Sequence, residues 1–249
     1  MTPHCRYVLR LADTNLVLAQ RLGEWVGHAP ALEEDLGIAN VSLDLLGQAR
    51  LLLAHAGELE GRGRDEDTLA YLREESEYLN LTLVEQPNGD FGDTIARQFL
   101  FDAWQLELNG KLAQSKDEKL AAIAVKGIRE TAYHLRYSGG WLIRLGDGTD
   151  ESHRRVEESL ARLWPFTNEL FDGDEVDQSI AKAGIGPAPE TLREGWLRHV
   201  DEVLAEATLA RPAPAQFGWY GKQGRHGEHL GYLLAEMQSL HRAHPGATW

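Results

Sequence analysis

Along this chain apolar residues recur at three- and four-residue steps, and alternation with a period of two is rarely sustained. That pattern predicts helices and few strands. A first helix covers about 5–27, with Val17, Leu18, Leu22, Trp25 and Val26. Pro30 and the acidic run Glu33-Glu34-Asp35 announce a second, about 31–58. It carries Leu32, Leu36, Ala39, Leu43, Leu46 and Leu53, and Gly61-Arg62-Gly63-Arg64 ends it. A shorter helix is expected over about 66–85. Glu85-Gln86-Pro87-Asn88-Gly89-Asp90 then reads as a turn. A long helix follows over about 91–114, with Ile95, Phe99, Leu106 and Leu112. Another covers about 117–146, with Leu120, Ile123, Ile128, Leu135 and Leu142, and stops at Gly146-Asp147-Gly148. Segments 151–171, 189–209 and 226–242 predict further helices, and 211–225 reads as a Pro- and Gly-rich loop.

Two long helical pairs, 5–58 and 91–146, stand on either side of a connecting segment. That is the layout of an all-α, ferritin-like four-helix bundle with one long crossover. The remaining helices are expected on its outside, in a single domain spanning 1–249. The composition changes this picture little: 249 residues, 43% hydrophobic and 26% charged, suit a globular chain. The charge narrows the partners. Lys plus Arg is 25 against 39 Asp plus Glu, a net of −14, which argues against nucleic acid. The one cysteine, Cys5, excludes an internal disulfide and any zinc or iron–sulfur site built from cysteines. It points to a reducing, cytoplasmic compartment. The N-terminus lacks a signal-peptide pattern. The longest apolar stretch, about Leu51–Ala56, is far short of the ~20 residues of a membrane span.

A ferritin-like di-iron site takes a Glu from each of two helices and a Glu-x-x-His from each of the other two. Residues at i and i+3 share a helix face, so both can reach one ion. Each long helix here offers one carboxylate on an apolar-looking stripe: Glu24, Asp44, Asp102 and Glu130. The imidazoles are missing. Three residues after Asp44 stands Gly47, and three after Glu130 stands Tyr133, with His134 one position too late. These six positions, Glu24, Asp44, Gly47, Asp102, Glu130 and Tyr133, therefore read as a degenerate metal site. Surface exposure or internal ion pairing accounts for the carboxylates. The alternative is a self-sufficient di-metal oxidase ligated by the four carboxylates alone. An iron-storage bundle is a third reading, and the missing Glu-x-x-His speaks against it.

Other motifs are weaker. Glycine-rich phosphate loops and a Gly-x-Ser-x-Gly elbow are absent. His226-Gly227-Glu228-His229 could hold a metal, but at a helix start it fits capping and a protein contact better. Tyr133, Tyr137 and Trp141 recur at i+4, as core or interface aromatics do. The loop Phe217-Gly218-Trp219-Tyr220-Gly221-Lys222 suits docking on a partner or on the bundle itself.

Several segments resemble the C-subunit family of the bacterial ring-1,2-phenylacetyl-CoA epoxidases. They are Leu16-Val17-Leu18-Ala19-Gln20-Arg21-Leu22-Gly23-Glu24-Trp25, Leu43-Asp44-Leu45-Leu46-Gly47-Gln48-Ala49-Arg50, Leu83-Val84-Glu85-Gln86-Pro87-Asn88-Gly89, His229-Leu230-Gly231 and Leu234-Ala235-Glu236-Met237. The resemblance runs over almost the whole chain. It implies a metal-free, structural subunit without catalytic residues. The partner would be a homologous A subunit that carries a di-iron centre. A further small subunit and a reductase using NADPH with flavin and iron–sulfur groups would complete a monooxygenase of phenylacetate catabolism. It also implies a place near the CoA channel at the subunit interface. For that contact the segments expected are Glu77-Tyr78-Leu79-Asn80 and, second, Gln178-Ser179-Ile180.

Overall fold

A computed structural model describes residues 1–214 and 218–247. Among these residues all regular structure is helical, apart from a single β-bridge between Tyr220 and Arg225. The described chain forms two compact units. Unit 1 comprises residues 1–87 and returns with 220–249; unit 2 comprises 88–219.

Unit 1 is built on a hairpin of α1 (Pro3–Gly23) and α2 (Leu32–Glu60). Thr2 caps α1 by accepting the Cys5 N–H at 3.2 Å, with Pro3 in the first turn. From Tyr7 to Ala19 every residue of α1 is buried. A helix enclosed on all sides is a core helix. Gly61 ends α2 at φ +67, the left-handed conformation that suits a residue without a Cβ. Then come α3 (Glu66–Tyr71), two 3-10 turns at 75–77 and 82–85, and, after unit 2, α9 (Glu228–Ala243).

Unit 2 is built on the hairpin of α4 (Phe91–Leu112) and α5 (Glu118–Gly146). Asp90 and Asp93 form a capping box at the start of α4, and Asp117 caps α5 through the Leu120 N–H. Around this hairpin stand α6 (Asp150–Leu163), α7 (Glu175–Ala183) and α8 (Arg193–Glu206). Trp196 is fully buried, and its Nε1–H donates to Leu100 O at 2.9 Å.

The fold class is the expected one: all-α and ferritin-like, two long hairpins joined by a crossover over 61–90. Several boundaries differ from expectation. The helix expected over 66–85 stops at Tyr71. Beyond it the backbone finds partners on α1 instead of in a helical ladder: Leu79 N–H donates to Asp13 and Leu81 N–H to Thr14. The helix expected over 151–171 ends at Leu163, and Trp164–Leu170 is a 3-10 turn. Pro165 has no N–H to continue the ladder. Pro189 likewise turns the start of 189–209 into a 3-10 turn. Helix α7 departs from the expected element order; its signals are the Asp174–Asp177 capping box and Gly184 at φ +74. By length and composition α2 could cross a membrane, with a mean hydropathy of 1.2 over eighteen residues. A count of uninterrupted apolar runs does not find this, because Asn40, Asp44, Gln48 and Arg50 break the run; 39% of that stretch is buried.

Candidate functional site

The degenerate metal positions fall in both units. In unit 1, Glu24 caps the C-terminal end of α1, is exposed, and accepts from Arg21 at 2.8 Å. Asp44 is half-buried on α2. The hairpin register comes from two cross-links: Ser42 Oγ donates to Ala19 O at 2.8 Å, and Cys5 Sγ to Ala56 O at 3.5 Å. Asp44 is thus level with Val17, and Glu24 lies seven positions further along α1. At 1.5 Å rise that is roughly 10 Å of axis. The two carboxylates do not converge.

Unit 2 repeats the finding. Ser138 Oγ donates to Asp102 Oδ2 at 2.8 Å, and Asn109 Nδ2 to Thr131 Oγ1 at 3.2 Å. Asp102 is therefore level with Ser138. Glu130 stands eight residues away on α5, roughly 12 Å along the axis, and pairs with Lys126 at 3.2 Å. Asp102 is fully buried, and Gln98 Nε2–H donates to its Oδ1 at 2.6 Å. Burial pushes its pKa well above the usual carboxylate range, and the bonds from Ser138 and Gln98 offset only part of that. A metal-binding carboxylate must be ionised, and these partners are neutral. Gly47 is half-buried, and Tyr133 is exposed with the Arg136 guanidinium over its ring at 5.6 Å. His134, next in sequence, is fully buried.

The expected substrate-contact segments separate by exposure. Glu77, Gln178 and Ser179 are open to solvent. Tyr78, Leu79, Asn80 and Ile180 are buried. Tyr78 and Asn80 belong instead to polar clusters that the sequence did not single out. In the first, Asp13 of α1 and Arg73 form a fully buried ion pair. Asp13 also accepts from Leu79 N–H at 2.9 Å, and Arg73 lies over the Tyr78 ring at 4.3 Å. Tyr78 O–H donates to Ala70 O, and Gln238 of α9 donates to Arg73 O at 3.1 Å. Burial pushes the Tyr78 phenol pKa upward. The signal for this cluster was Asp13 itself, a carboxylate on the stripe of Leu9, Leu16 and Val17, which needs a buried cation.

In the second cluster the fully buried Glu85 accepts from His226 Nδ1 at 3.0 Å, Asn80 Nδ2 at 3.1 Å and Gly227 N–H at 2.6 Å. His226 Nε2 meets Tyr78 O at 2.9 Å. A carboxylate and a carbonyl both accept, so this setting favours an imidazole that carries a proton on each ring nitrogen. Burial alone would lower the His226 pKa. The bonds to Glu85 and Tyr78 and the nearby charges outweigh burial, and the net shift is upward. Arg21 donates to Glu85 O at 2.8 Å and to His229 O at 3.1 Å. His226 thus makes the expected protein contact, and α9 begins only at Glu228. Of the aromatic loop, Phe217 lies outside the described residues; Tyr220 is exposed, with Arg225 over its ring at 5.8 Å. Beside α2, a groove of about 370 Å³ is lined by Leu43, Leu46, Arg50, Leu53, Glu66 and Tyr71, among others.

Two comparisons bear on this arrangement. A family model described as "Phenylacetic acid catabolic protein" matches residues 1–249. A relative from Escherichia coli (strain K12), the C subunit of 1,2-phenylacetyl-CoA epoxidase, is 55% identical over 243 residues, 98% of each chain.

Proposed function

This chain belongs to the phenylacetic acid catabolic protein family, and from that premise we propose that it is the metal-free, structural subunit of a phenylacetyl-CoA epoxidase. It pairs with and stabilises a homologous A subunit, which holds the di-iron centre. A small subunit and an NADPH-fed reductase with flavin and iron–sulfur groups complete the monooxygenase, which works in the cytoplasm. The relative, itself a component of a 1,2-phenylacetyl-CoA epoxidase, supports membership of such a complex. One observation carries the structural role. Within each hairpin the two carboxylates stand about 10 Å apart or more along the axis, and the buried one, Asp102, faces only neutral donors. A di-iron centre needs converging, ionised ligands and the imidazoles of Glu-x-x-His, so these residues do not fit one. The carboxylate-only oxidase finds no support for the same reason. Contact with CoA, if this chain makes it, falls to the exposed members of the two expected segments, Glu77, Gln178 and Ser179.

The test is the metal content of the chain purified alone from cells supplied with iron and manganese. The expected value is well under one metal per chain, unchanged by Asp102→Asn, with a stable complex on co-expression with the A subunit. About two metals per chain, lost on Asp44→Ala, would overturn the reading.

A further inference from the structure

Before α9, residues 220–227 lie on the crossover of unit 1 as a strap, with a 3-10 turn over Gly221–Gln223. Two glycines let the backbones meet. A Cβ on Gly221 would run into Asn80 O, and one on Gly224, at φ +81, would stand 2.5 Å from Ser76 O. Arg10 Nε of α1 donates to Lys222 O at 3.0 Å. Into this close fit the strap inserts one imidazole. The His226 side chain is 1% exposed, and its Nδ1 lies 3.0 Å from the fully buried Glu85 carboxylate. Its Nε2 meets Tyr78 O at 2.9 Å.

The charged groups around His226 come from every neighbouring element. Glu85 belongs to the turn at 82–85, and Glu75, from the turn at 75–77, adds a second negative charge. Arg21 of α1 donates to Glu85 O and His229 O, and itself pairs with Glu24 at 2.8 Å. The Arg73–Asp13 pair lies on the far side of Tyr78, with Arg73 over its ring. Arg225, Glu228 and His229 flank His226 in sequence. An imidazole with two protons serves both acceptors. A neutral one has a single N–H and leaves either the carboxylate or the carbonyl short of a donor. We propose that residues 220–227 are a proton-operated clasp, shut on the crossover while His226 carries both protons and locally opened when it loses one. The opening is a reversible excursion of the strap. Leu230, Leu233 and Leu234 stay buried and keep α9 attached. The bonds and acids around His226 hold its folded pKa above about 6.5. The clasp is therefore tight below about pH 6.5 and loosens as the pH rises through the folded value. This inference is independent of the subunit role proposed above.

The experiment follows amide hydrogen exchange by mass spectrometry in the full-length chain between pH 6 and pH 8.5, with rates corrected for the intrinsic pH dependence of exchange. In wild type, opening of 220–227 is expected to rise at least tenfold across this range, while α5 changes less than threefold. In His226→Gln, which is neutral throughout, the strap is expected to be already loosened at pH 6 and to show no further rise. A wild-type strap equally protected at both values overturns the proposal. So does a rise that survives in His226→Gln, which would assign the switch to another group, and so does a loss of protection shared equally by α5, which would make the effect global. A second measurement needs no variant. Nitrogen-15 NMR of the wild-type imidazole is expected to show two N–H groups at pH 6 and one at pH 8.5, with the same midpoint as strap opening. An imidazole that titrates without any change in opening, or that stays in one form while the strap opens, overturns the clasp.

Discussion

His226 is held by two acceptors, Glu85 and the Tyr78 carbonyl. Its folded pKa is raised above the ordinary value of about 6.5. The stabilisation it gives is therefore fully present below about pH 6.5 and fades as the pH rises through the folded pKa. Urea unfolding at pH 6 and at pH 8.5 should show wild type losing stability between the two. His226→Gln should cost on the order of 2 kcal/mol at pH 6, because it leaves a buried carboxylate short of a donor. The gap should narrow at pH 8.5. A gap that is equal at both values would mean that the imidazole is neutral in the fold. His226 was legible in the sequence as a contact residue. Its partner Glu85, more than a hundred residues away, was not, because no local pattern joins the two.

Two of the legible elements, α4 and α5, have starts that carry their own hydrogen-bond chemistry. Asp90 and Asp117 announce α4 and α5 because a short acceptor meets free N–H groups there, and the apolar steps then run unbroken. Replacing Asp90 by Ala should cost about 1 kcal/mol in thermal or urea unfolding. An Asp90→Asn variant, which keeps the acceptor, should recover most of it. The stretch 72–85 is illegible for the opposite reason. Its residues are compatible with a helix, but the N–H groups of Leu79 and Leu81 are claimed by Asp13 and Thr14 on α1. Periodicity could not assign the two faces of α2 either. Leu32, Leu36, Ala39, Leu43 and Leu46 make as good a stripe as the buried Ile38, Val41, Leu45 and Leu52, and only packing distinguishes them.

The chain as a whole closes unit 1 with its last thirty residues. Leu230, Leu233 and Leu234 of α9 are buried there, and Gln238 reaches the Arg73 cluster. Burying three leucines contributes about 2 kcal/mol each, or about 6 kcal/mol together, against a whole-domain stability of about 5–15 kcal/mol. Loss of the partners of Glu85 and Arg73 adds to this. A chain ending at residue 219 should therefore lose amide-exchange protection in α1 and α3, or fail to accumulate in soluble form. Protection in α4 and α5 should persist. Equal protection in both would mean that α9 is dispensable.

Sequence alone determined the all-α class, the two long hairpins, the lack of Glu-x-x-His and the likeness to an epoxidase component. Each of these depends on residue type and spacing within one helix, and such information is local. Tertiary structure alone decided that paired carboxylates stand out of register, that Asp102 is buried among neutral donors, and that α2 leaves a leucine seam open. Register, burial and exposure depend on which residue of a distant segment lies opposite, and nothing within a single helix specifies that.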